Sequence, residues 1–94
     1  MKLEELFQII LERKSNPTGG SYTARLLAAG QDAVLKKVGE EAMEIILAAK
    51  GQGDQRLVEE LADLYYHTLV LLAAYNLDLS DVQAELARRH ASKS

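Results

Sequence analysis

The chain contains no cysteine and no tryptophan, and proline occurs once. Without cysteine there is neither a disulfide framework nor a thiolate metal site, in keeping with a reducing, cytoplasmic setting. Long apolar runs are missing too, since none approaches the roughly 20 residues of a membrane span. The opening stretch MKLEELFQII carries acids inside its apolar run, unlike a signal peptide. Nor is there an excess of basic charge: the net charge of −3 argues against a nucleic-acid partner, though not against a local phosphate site. What is present is 94 residues, 48% of them apolar. That length fits one domain spanning residues 1–94, near the lower limit for a self-sufficient core. Ala, Leu, Glu and Lys dominate, a helical bias.

Leu3, Leu6, Phe7 and Ile10 recur at i, i+3, i+4 and i+7, predicting an amphipathic helix to about Lys14. SNPTGGS (Ser15–Ser21) is the loop that follows. Ser21 can cap a short helix, YTARLLAA, ended by Gly30. Asp32 starts a long helix to about Lys50, and Asp54 caps another to about Tyr75, with Asn76 as a left-handed stop. Ser80 and Gln83 read as a capping box for a last helix through about Arg89. The expected fold is all-α, a bundle of four to five helices. From Leu61 to Ala74 the sequence offers almost no polar face, and a helix apolar all round is buried all round. So short a chain cannot surround it, so a homodimer is expected.

Acids interrupt these apolar helices. Val34, Val38, Ile45 and Ala48 form a stripe with one position missing, and that position is Glu41; Glu44 lies one turn along. In the next helix Glu60 and Asp63 are again three apart. The loop between the helices centres on Gln52, which predicts an antiparallel hairpin. Glu44 and Glu60 each lie eight residues from that centre, and Glu41 and Asp63 each eleven. Four carboxylates therefore stand at two adjacent heights, roughly 12 and 16 Å from the turn. Two ionised carboxylates about 4 Å apart repel by roughly 4 kcal/mol at an effective dielectric of 20. A cation removes the conflict, and oxygen ligands favour Mg²⁺ or Mn²⁺ over zinc. The competing reading is a solvated acidic face, with Lys36–Glu40 and Lys37–Glu41 as i,i+4 pairs in the weaker orientation; it leaves Glu44, Glu60 and Asp63 without partners. A ferritin-like di-iron site fails because His67 lies four residues after Asp63, not three after a Glu. His67 reads as a hydrogen-bonded core histidine or a group behind the ligands.

Glu-Glu-x-x-Glu followed by Glu-x-x-Asp on the next helix resembles the all-α nucleotide pyrophosphatase superfamily typified by MazG proteins. Together with ERKSNPTGGSYTARLLAAG, KKVGEEAMEIILAAK and LVEELADLYYHTLVLL, nearly the whole chain is similar to the phosphoribosyl-ATP pyrophosphatase family of histidine biosynthesis. The resemblance implies a MazG-like bundle that hydrolyses phosphoribosyl-ATP between its α and β phosphates. It further implies Glu41, Glu44, Glu60 and Asp63 as Mg²⁺ ligands, and Glu40 as orienting the water or completing the metal shell. Ser21, Tyr22 and Thr23 inherit a substrate-binding role, although a helix cap plus packing would also explain them. Lys37, Arg13, Lys14 and Lys50 are candidates for phosphate contacts, or ordinary surface cations. No additional domain accompanies the motif, so a monofunctional enzyme is expected. Two other readings stand beside this one: a house-cleaning pyrophosphatase of non-standard nucleoside triphosphates, and a non-catalytic helical dimerisation module.

Overall fold

In the computed structural model, which describes residues 1–93, the chain forms five α-helices and, among the described residues, no strand. They are α1 (Leu3–Ser15), α2 (Tyr22–Ala29), α3 (Gln31–Gly51), α4 (Asp54–Ala74) and α5 (Leu79–Lys93). The all-α expectation holds. Apolar residues at helical spacing bring Phe7 and Ile10 of α1, Leu26 of α2, Val34 of α3, Leu69, Val70 and Ala73 of α4, and Leu79 of α5 into one core. The predicted hairpin is present as α3 and α4, joined through Gln52 and Gly53, with the Gln52 N–H donating to Ala48 O at 3.0 Å.

Three helix ends differ from the sequence reading. Gly30 and Gly53, with φ of 103° and 90°, take the N-cap positions of α3 and α4. The backbone there is left-handed, which glycine tolerates best. Asp32 and Asp54 consequently lie within the first turn, where a carboxylate still favours the positive helix end. The capping box of α5 is Asp78 with Asp81, not Ser80 with Gln83. The Ser80 N–H donates to Asp78 Oδ2 at 2.9 Å, and the Asp78 N–H donates to Asp81 Oδ2 at 2.9 Å. Gln83 instead reaches across to α1, donating to Glu4 Oε2 at 3.0 Å. At the far end of α4 the left-handed stop is Asn76 (φ 57°), as the sequence predicts.

In the single chain, α4 buries only part of its apolar circumference. His67, Leu69, Val70 and Ala73 are buried, Leu64, Leu71 and Leu72 are half-buried, and Tyr65 is exposed. No helix among the described residues is long and apolar enough to cross a membrane.

Candidate metal centre

The buried stripe of α3 is Val34, Glu41 and Ala48, seven residues apart. An acid thus occupies the central position of an apolar seam, and α4 answers it with buried Glu60. One carboxylate oxygen each from Glu41, Glu60 and Asp63 lie within 4.8 Å of one another. Glu41 is 9% exposed and Glu60 3%, while Asp63 opens to solvent. Three atoms so spaced leave a point no more than about 2.8 Å from each, a small side-chain adjustment from the roughly 2.0–2.1 Å of Mg–O bonds. The donors are all hard oxygens, so the set fits Mg²⁺ or Mn²⁺.

Glu44 stands outside this trio. It is half-buried and, with Lys37, Glu40, Glu41 and Met43, lines an open depression of about 380 Å³ on α3. Counterions hold the acids. Lys37 Nζ lies 3.5 Å from Glu41 and 3.7 Å from exposed Glu40. Burial alone would lower the pKa of the Lys37 ammonium, but the negative charges of an ionised Tyr22 at high pH and of Glu41 and Glu40 outweigh it and hold the pKa above the usual lysine value. On α4, Arg56 reaches Glu60 at 2.9 Å and Glu59 at 3.3 Å. Glu60 therefore has an i−4 partner, contrary to the expectation from sequence. The same spacing that pairs Lys37 with Glu41 was the available signal for Arg56.

The Glu60 carboxyl is pushed up first by burial and then by its hydrogen bond to Glu41 and the charges of Glu41 and Asp63; only Arg56 opposes the shift. The folded metal-free protein thus holds its proton to higher pH than the unfolded chain does. Its stability should fall as pH rises from about 4.3, the ordinary glutamate value, through the raised one. At neutral pH, Mg²⁺ at about 100 times its dissociation constant should restore some 2.7 kcal/mol. Thermal melts across pH, with and without Mg²⁺, check this; a metal-free protein whose stability is insensitive to pH above 4 would contradict it.

The segment Ser21–Thr23 fastens α2 to α4. Ser21 caps α2, its Oγ accepting from the Ala24 N–H at 3.1 Å. Thr23 is buried and its hydroxyl hydrogen-bonds the Tyr66 hydroxyl. The Tyr22 hydroxyl is 3.0 Å from His67 Nε2, and His67 Nδ1 is 2.7 Å from the Asp63 carbonyl oxygen. His67 is thus the hydrogen-bonded core histidine the sequence suggests, placed one turn behind Asp63. The link to Tyr22 spans 45 positions and leaves no local sequence signal. The remaining cations lie elsewhere. Lys14 donates to Ala73 O at 2.6 Å and Asn76 Oδ1 at 2.7 Å, closing the C-terminus of α4. Arg13 is exposed at a pocket of about 320 Å³ beside Pro17, Gly30 and Ala74. Lys50 is exposed in the last turn of α3.

Residues 3–90 match the family model described as Phosphoribosyl-ATP pyrophosphohydrolase. A phosphoribosyl-ATP pyrophosphatase of Pelotomaculum thermopropionicum is 51% identical over 98% of this chain and 94% of its own length. The corresponding protein of Listeria welshimeri is 53% identical over 98% of this chain and 88% of its own. A bifunctional histidine biosynthesis protein of Gloeobacter violaceus is 51% identical over 93% of this chain, which corresponds to 39% of that longer protein.

Proposed function

The chain belongs to the phosphoribosyl-ATP pyrophosphohydrolase family, and on that premise we propose that it hydrolyses phosphoribosyl-ATP to phosphoribosyl-AMP and pyrophosphate, the second step of histidine biosynthesis. It does so as a cytoplasmic homodimer, with Mg²⁺ or Mn²⁺ as cofactor. The observation that carries the reading is the trio Glu41, Glu60 and Asp63, whose oxygens converge within 4.8 Å on the seam between α3 and α4. A non-catalytic dimerisation module would have no use for acids in that seam, where taking charges out of water is costly and their counterions Lys37 and Arg56 offset only part of that cost.

Glu41, Glu60 and Asp63 would hold the ion, and Glu44 would join from the adjoining depression. Bound there, the metal would neutralise phosphate oxygens and activate the attacking water. Glu40, exposed on the rim, would orient that water. Lys37 bridges Glu40 and Glu41 and is the cation best placed to meet a phosphate oxygen. Arg13 and Lys50 are kept as contacts for the second ribose phosphate. Lys14 can serve there only by leaving the end of α4. As water's oxygen bonds to phosphorus, one P–O bond of the α–β bridge breaks and pyrophosphate departs.

Substrate choice tests the assignment. With Mg²⁺, pyrophosphate should be released from phosphoribosyl-ATP at least about 100-fold more efficiently than from ATP or deoxynucleoside triphosphates, because polar groups built for the missing phosphoribosyl unit would be left unpaired. Comparable turnover of a deoxynucleotide panel, with phosphoribosyl-ATP left intact, would favour the house-cleaning reading.

A further inference from the structure

His67 is 5% exposed and takes no part in the chemistry above, yet both of its ring nitrogens are committed. The Asp63 carbonyl can only accept, so Nδ1 carries the proton that points to it. In the neutral ring Nε2 then has a lone pair and no proton. The Tyr22 hydroxyl must therefore be the donor at 3.0 Å. A phenol has one proton to give. Once it is held by His67, the Tyr22 oxygen can only accept.

Tyr22 itself is 43% exposed and lies within electrostatic reach of Lys37, while Lys37 contacts Glu41 of the trio. An edge-on contact between the Tyr66 and His67 rings, at 4.9 Å and 82°, fixes the imidazole further. The tyrosine thus stands beside the reaction centre with its polarity set from behind.

We propose that His67 is a positioning residue: by holding the Tyr22 proton it presents the Tyr22 oxygen to the substrate as an acceptor only, selecting a hydroxyl or amino group and turning away phosphate. The inference rests on the acidic trio being the reaction centre and names the chemical class of the group that Tyr22 reads. Phosphate oxygens are acceptors and gain nothing from an acceptor-only partner. A ribose hydroxyl or the adenine amino group can donate to it.

The test is a double-mutant cycle of Tyr22→Phe and His67→Asn on the Mg²⁺-loaded enzyme. The asparagine amide can still donate to the Asp63 carbonyl but falls short of Tyr22. Each variant should raise KM for phosphoribosyl-ATP about tenfold, the size of one neutral hydrogen bond, with the change in KM rather than kcat. The double variant should be no worse than either single one. Affinity for phosphoribosyl-AMP should fall equally, whereas inhibition by free pyrophosphate and Mn²⁺ affinity by electron paramagnetic resonance should not change. Additive effects, weakened pyrophosphate binding, or an unchanged KM in Tyr22→Phe would each overturn the proposal. Should His67→Asn fail to fold, His67→Gln takes its place in the cycle, and an unchanged KM or weakened pyrophosphate binding in Tyr22→Phe still overturns the proposal. Absence of phosphoribosyl-ATP hydrolysis by the unaltered protein would instead refute the functional assignment.

Discussion

Glu41→Gln and Asp63→Asn are each expected to lower Mg²⁺-dependent turnover by at least about 100-fold, the upper range for losing even an indirect partner of a metal ligand. Both amides are nearly isosteric with the acids, so helicity should be unchanged. The two sites differ in what else they do. Glu41 lies in the buried stripe of α3 and shares hydrogen bonding with Glu60, so its neutralisation removes repulsion inside the seam. The metal-free Glu41→Gln protein should melt higher than the native one and gain less from added Mg²⁺. Asp63 is exposed, and its change should leave the metal-free melt nearly where it was. Glu44→Gln should cost less activity than either, because its carboxylate is not one of the three that converge. Steady-state kinetics beside thermal melts with and without Mg²⁺ checks the whole ranking. A fully active Glu41→Gln protein would remove the assignment.

That ranking separates what the sequence discloses from what it hides. Heights along a hairpin follow from residue counts, and counting from Gln52 brought the acids of α3 and α4 to the same end of the pair. Azimuth is harder. Successive residues turn by about 100°, so Glu44 lies some 60° around α3 from Glu41. That rotation puts Glu41 in the seam and Glu44 at its edge, and equal height therefore did not make Glu44 part of the trio with Glu60. Helix caps were missed for a related reason. Asp and Ser are strong local signals, but the cap is the residue whose backbone leaves the helix. At Gly30 and Gly53 the positive φ decides this two positions before Asp32 and one before Asp54. The Tyr22–His67–Asp63 chain depends on α2 crossing α4, a consequence of packing around Leu26 and Val70 that no short window contains.

Assembly carries the second large effect. One protomer leaves Val82 43% and Leu86 60% exposed on α5, four residues apart on one side of the helix. They continue from buried Leu79, at the same spacing that builds an amphipathic face. Val82 and Leu79 also border an apolar groove of about 430 Å³ that runs between α1, α4 and α5 past Leu3, Tyr65 and Leu72. Apolar surface of this continuity is uncommon on a monomer, and a second copy of the chain is the partner the functional reading supplies. The native protein should therefore sediment as a dimer, with a melting temperature that rises with protein concentration. Val82→Glu and Leu86→Glu replace side chains already open to water within one protomer, so each chain should keep its five helices. A carboxylate buried at the contact without a partner costs several kcal/mol, so either change should weaken dimerisation by at least about 100-fold. Light scattering and ultracentrifugation over a range of concentrations measure this. A native protein that remains a compact monomer throughout, with a melting temperature independent of concentration, would rule out the dimer.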